Sequence, residues 1–132
     1  MKNKKVVIGI IAILVVIAII VCAVVLIQKN NQKQAEQTLI DYMNLINDKN
    51  YEAMYEKVTN LNTIDKDNFI TRNKNIYEGI DSSNISIEIK ETVKEDDEYK
   101  INYHQKMYTS AGELEFDNSV NVLKQDGEYK IR

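Results

Sequence analysis

The chain has 132 residues, with 17 Lys and Arg against 20 Asp and Glu, one Cys, one His, no Pro and no Trp. That length holds one small folded domain, and a single cysteine excludes both an internal disulfide framework and a multi-thiolate metal cluster. The charge is split: residues 1–27 carry three lysines and no acid, while the remainder carries 14 basic and 20 acidic side chains. A domain with that excess of carboxylates repels a phosphate backbone, so nucleic acid is excluded as a partner.

Val6 to Ile27 is 22 residues without a charged or strongly polar side chain. As a helix rising about 1.5 Å per residue it reaches roughly 33 Å, enough for a hydrocarbon core of about 30 Å. A cleaved signal peptide would have a shorter apolar run and a small-x-small site after it. A lipoprotein would use Cys22, but Ile19-Ile20-Val21 stands where a small residue belongs, so Cys22 reads as a small apolar residue facing lipid. Lys2, Lys4 and Lys5 precede the span, and Lys29 and Lys33 follow it more sparsely. The positive-inside bias then puts residues 1–5 in the cytoplasm and everything from Gln28 outside, as a single-pass protein of the plasma membrane. Residues 28–34, amide-rich and free of Gly and Pro, form a tether or the continued end of the membrane helix, and the folded domain is expected over residues 35–132.

Ala35, Leu39, Met43 and Ile46 recur at helical spacing and predict an amphipathic helix that Asn47-Asp48-Lys49-Asn50 interrupts. Asn50 can cap a short second helix with Tyr51, Met54, Tyr55 and Val58 on one face. A third, capped by Asp65, runs through Phe69, Asn73, Ile76 and Tyr77 to Gly79, which is expected to end it in the left-handed conformation. The period then changes to two. Ile85, Ile87 and Ile89 mark a first strand, the charged residues 94–98 a turn, and Tyr99, Ile101, Tyr103 and Met107 a second strand. Ser110 to Glu113 is a second turn. Leu114, Phe116, Val120 and Val122 mark a third strand, and the Asp126-Gly127 hairpin signal leads to a fourth at Tyr129 and Ile131, broken off with an open edge. The pattern predicts an α+β domain of three helices on one side of a curved antiparallel sheet.

Four segments together resemble one family: residues 51–55 (Tyr-Glu-Ala-Met-Tyr), 69–77 (Phe-Ile-Thr-Arg-Asn-Lys-Asn-Ile-Tyr), 109–116 (Thr-Ser-Ala-Gly-Glu-Leu-Glu-Phe) and 123–131 (Leu-Lys-Gln-Asp-Gly-Glu-Tyr-Lys-Ile). Their order and spacing are similar to the N-terminal domain of low-affinity class B penicillin-binding proteins of the methicillin-resistance type. The resemblance implies a nuclear-transport-factor-2-like (NTF2-like) cone between a membrane anchor and a transpeptidase, with a role in β-lactam response and peptidoglycan synthesis. The family's acylating Ser-x-x-Lys and Lys-Thr-Gly motifs are absent: Ser82, Ser83, Ser86, Ser110 and Ser119 have Ile85, Ser86, Ile89, Glu113 and Val122 three places on. Where family members commonly carry Trp near the last strand, this chain has Tyr129. The expectation is a fragment, a truncated reading frame or a freestanding remnant of such a protein, with no catalytic, cofactor or metal site of its own.

His104 is the one imidazole available to a nucleophile or metal, and strand parity sends it to the polar face with Lys100, Asn102 and Lys106. Glu88, Glu115 and Asp117 share that parity. Asp41 is the one acid that could approach a cone cavity, from the first helix, as an enzyme of this fold would require. Gln105 and Asn118 fall on apolar faces, which suggests a bulge or an edge; the tyrosines are expected to pack with hydroxyls at the rim. Glu95-Asp96-Asp97-Glu98 reads as a solvated turn rather than a calcium loop. The expected function is a non-catalytic, membrane-anchored spacer and interaction domain. Its partners would be membrane lipid, a transpeptidase or other cell-wall protein, and peptidoglycan. The alternative is an independent extracytoplasmic domain binding a small ligand in a cavity lined by Tyr99, Tyr103, Gln105 and Asn118.

Overall fold

A computed structural model of the chain describes residues 2–59 and 64–132. Met1 and the side chain of Lys2, part of the basic cluster, lie outside the described residues. Three helices, α1 (Lys2–Asn47), α2 (Tyr51–Glu56) and α3 (Lys66–Gly79), precede four strands, β1 (Ser83–Glu95), β2 (Glu98–Thr109), β3 (Gly112–Gln125) and β4 (Glu128–Ile131). The chain divides into two compact units, Met1–Lys33 and Gln34–Arg132.

The first unit is apolar helix. Its large side chains from Val6 to Ile27 are each 42–66% exposed, so no protein core covers them, and the segment is long and apolar enough to cross a membrane. Residues 28–34 are helical rather than an irregular tether. Gln and Lys, which make up five of the seven residues, are good helix formers, and neither Gly nor Pro interrupts them.

The second unit is an antiparallel meander in the order β1-β2-β3-β4 with helical residues packed on one face. The α1 stripe Ala35, Leu39, Met43 and Ile46 is buried as its spacing predicts, together with Tyr51 and Met54 of α2 and Phe69 of α3. Facing them, β2 buries every second residue from Tyr99 to Met107. Asn50 accepts from the Ala53 amide at 3.2 Å and Asp65 from the Asn68 amide at 2.8 Å, so both predicted N-caps form.

Gly79, in contrast, stays helical and Asp81 takes the left-handed conformation, with φ 54°. The Ser82 amide bonds Tyr77 O and the Asp81 amide bonds Glu78 O, a Schellman ending that places the left-handed residue two positions later than the glycine. Lys49 (φ 56°) ends α1 the same way, through Asn50 N to Leu45 O and Lys49 N to Ile46 O. Ile76, read as a face residue of α3, is 50% exposed, because the helix packs through Phe69, Ile70 and Tyr77 instead.

The β2–β3 register runs unbroken from Glu98 opposite Leu123 to Thr109 opposite Gly112. The irregularities fall in β1, between Ser83 and Ser86 and between Ile89 and Glu91. The second leaves Lys90 unpaired and reverses the side-chain parity, so Thr92 turns inward while Val93 is exposed. Thr92 then donates its hydroxyl to Glu36 of α1 at 2.7 Å. The fourth strand is not left open at its end: Ile131 N donates to Lys57 O at 2.7 Å and Thr59 N to Ile131 O at 2.8 Å, which covers its outer edge there.

Candidate functional site

The polar face of the sheet carries a cluster of titratable side chains around His104. Strand pairing sets His104 directly opposite Glu88 on one side and Asp117 on the other, with Lys106 opposite Glu115. His104 Nδ1 lies 2.7 Å from Asp117 Oδ1 and Nε2 lies 3.1 Å from Glu115 Oε1. Two further pairs flank it, Lys106 with Glu113 at 2.7 Å and Lys90 with Glu88 at 3.0 Å. A protonated imidazole donates to both carboxylates; the bond to Asp117, then that to Glu115, holds its pKa above the ordinary histidine range. With a carboxylate on each nitrogen, neither is presented to deprotonate a hydroxyl or to bind a metal, so the arrangement serves as a clasp between β2 and β3.

Beside the clasp, the Lys90 bulge borders an open depression of about 640 Å³ whose walls are Glu91, Asn102, Asp117 and Ser119, with Tyr103 and Asn118 also lining it. Of the other sequence-derived candidates, Tyr103 and Asn118 thus line this depression, whereas Tyr99, Gln105 and Asp41 do not. Tyr99, Tyr103 and Gln105 are buried in the core, and the Gln105 amide reaches only the Met107 sulfur among the contacts described, at 3.8 Å. Gln105 is therefore a core residue, 4% exposed, and neither a bulge nor an edge accounts for it. Asn118 is exposed and bonds the Tyr103 hydroxyl, so of the four residues suggested for an enclosed cavity these two line an open depression while Tyr99 and Gln105 lie in the core. Asp41 accepts from Gln37 Nε2, one turn earlier on α1, at 2.8 Å and in an exposed setting. In the acidic run, Glu95 pairs across the hairpin with Glu98, which also holds Arg132, and Asp96 turns the chain with φ 52°.

Tyr51 packs as expected, yet its hydroxyl is buried without a hydrogen-bond partner among the described residues, as is that of Thr59.

Residues 34–132, the helix-and-meander unit, match the family model of the NTF2-like N-terminal transpeptidase domain, MecA_N. The chain belongs to that family. The matched module is the N-terminal NTF2-like domain of transpeptidase proteins and not their catalytic part. No curated protein sequence matches the chain. Among solved structures, the MecA_N domain is similar to one named Rd1NTF2_05, in a multiply substituted form, with TM-score 0.58, 8% identity and coverage of 75% of this chain and 93% of that one. A protein from Catenulispora acidiphila gives TM-score 0.58 at 10% identity, covering 79% and 88%. Bd1075 of Bdellovibrio bacteriovorus gives 0.56 at 12% identity, covering 73% of this chain and 36% of its own. At such identities the likeness carries the fold, an NTF2-like one, and nothing about activity.

Proposed function

We propose that this chain is a non-catalytic, membrane-anchored positioning domain that works with a penicillin-binding transpeptidase outside the plasma membrane. The observation that carries this reading is the MecA_N match over residues 34–132 directly behind an apolar helix of spanning length. Lys4 and Lys5 at the head of that helix, against the acidic balance of the rest, favour a cytoplasmic N-terminus and an external domain. The mechanism is positional. The anchor confines the domain to the membrane surface, so a transpeptidase bound to it meets its substrate at a high effective concentration. The role in β-lactam response and peptidoglycan synthesis follows from that partnership and not from chemistry in this chain.

The one imidazole sits between two carboxylates, and no serine has Lys three positions on, which supports a domain that forms no acyl-enzyme. Treatment of membranes holding an affinity-tagged chain with a fluorescent penicillin tests this. The tagged chain stays unlabelled, and a larger labelled protein co-purifies with it. A covalent label on the tagged chain overturns the proposal.

A further inference from the structure

The two sides of the meander are closed unevenly. On the β1 side, Asn47 takes both backbone groups of Ile85, and the Lys90 bulge breaks the line of the strand. On the other side, β4 pairs with β3 only over Val122–Gln125, and Arg132 N carries the ladder one step further, to Asn121 O at 3.0 Å. Residues 112–120 of β3 have β2 on their inner side and no strand on their outer side among the described residues. The Asn121 carbonyl points outward, and alternate residues of an antiparallel strand direct both backbone groups to the same side. The β2–β3 register is unbroken, so Glu113, Glu115, Asp117 and Ser119 face outward as well. Ser119 N is taken by Asn118 Oδ1 at 2.8 Å, which leaves the other three amides and the four carbonyls as an unpaired row among the described residues. The three carboxylates stand on the polar face of this row. On its core face, opposite buried Gln105 and Met107, Phe116 packs against the core and Leu114 is 43% exposed.

We infer that the outer edge of residues 113–119 binds an extended strand of a partner protein, antiparallel to β3 and in line with β4, in which apolar residues alternate with lysine or arginine. Main-chain bonds to the open row supply the affinity, and the alternating side chains supply the choice of partner. Residues directly opposite each other in an antiparallel pair share a face. The apolar residues of the incoming strand therefore cover Leu114 and Phe116, and its cations meet Glu113, Glu115 and Asp117, which outnumber the Lys106 and His104 that hold them from β2. The same rule disfavours a second copy of β3 as the occupant. Every register that matches its faces sets these carboxylates against one another, and like charges directly opposite are destabilising. The inference needs the positioning role only for the existence of a partner, and its test is read on this chain alone.

The full chain in phosphatidylcholine nanodiscs is titrated with acetyl-Lys-Val-Lys-Val-Lys-Val-Lys-amide while amide hydrogen exchange is followed by NMR. The expected result is a saturable slowing, by at least about tenfold, at Glu113, Glu115 and Asp117, with Leu114 and Phe116 unchanged because β2 already holds them. Methylating the lysine amides of the peptide, which donate to β3, should weaken binding by at least about tenfold, whereas methylating the valine amides, which face away, should not. A peptide with Glu in place of each Lys should not bind. No saturable slowing up to about 1 mM, equal binding by the lysine-methylated or the glutamate peptide, or protection of β1 instead overturns the inference. Slow exchange at Glu115 and Asp117 before any peptide is added means that the edge is already filled, by this chain or, if dilution restores exchange, by a second copy, and overturns it as well.

Discussion

The side-chain amide of Asn47 pairs with both backbone groups of Ile85: Nδ2 donates to Ile85 O at 2.9 Å and Oδ1 accepts from Ile85 N at 2.8 Å. A residue at the end of α1 thereby takes the place of a neighbouring strand at the free edge of β1. Asn47→Ala leaves both backbone groups of a buried residue without a protein partner and should cost about 1–3 kcal/mol. Asn47→Asp keeps the acceptor but sets a carboxylate against the Ile85 carbonyl, and should cost no less. Urea unfolding of residues 34–132 measures both, and amide exchange at Ile85 should accelerate in step.

His104 makes the domain's stability depend on pH in a stated direction. Its pKa is raised on folding, chiefly by Asp117 and then by Glu115. The stabilisation is therefore fully present below the unfolded value of about 6.5 and is lost as pH rises through the higher folded value. Relative to His104→Gln, the native domain should lose urea resistance between mildly acidic and mildly alkaline pH. NMR titration should place the imidazole above its unperturbed value; a value at or below it contradicts the clasp.

Two isoleucines separate core from surface. Ile101 is fully buried between β1 and β3, and Ile101→Ala should cost about 2–5 kcal/mol through lost burial and the cavity left behind. Ile76→Ala, on the exposed side of α3, should change stability by no more than about 0.5 kcal/mol. Equal effects in urea unfolding would contradict the placement of α3.

Two glycines should respond oppositely to alanine. Gly79 lies in the last turn of α3 with open space around a Cβ, so Gly79→Ala should stabilise by about 0.4–1 kcal/mol. Gly127 has φ 83° in the β3–β4 turn, and Gly127→Ala should destabilise by about 1–2 kcal/mol. The melting temperature of residues 34–132 reads both signs.

Local chemistry made much of this fold legible. The caps at Asn50 and Asp65, the buried α1 stripe and the Asp126-Gly127 turn, whose residues have φ 52° and 83°, each depend on neighbours a few positions away. The helices end where the pattern placed them, at Asn47 and Gly79, but the left-handed residue that closes α3 is Asp81 and not the glycine, which only its 6→1 hydrogen bond reveals. The Lys90 bulge carries no glycine to announce it. The cover over Ile131 joins segments distant in sequence, as does the Asn47 clamp, and periodicity contains no long-range term. The candidate residues were legible by parity, which set His104, Glu115 and Asp117 on one face. Parity cannot show that both carboxylates reach the same ring, or that Tyr51 keeps its hydroxyl unpaired.

The central claim is that an apolar N-terminal helix holds a folded MecA_N domain on the outer side of the membrane. A membrane-impermeant maleimide applied to intact cells producing Ser110→Cys in a Cys22→Ala background measures this directly, because Ser110 lies in the exposed turn between β2 and β3. The account predicts that Cys at position 110 is labelled before lysis and that the labelled chain sediments with membranes. Labelling only after lysis, or recovery of the chain in the soluble fraction, would contradict it.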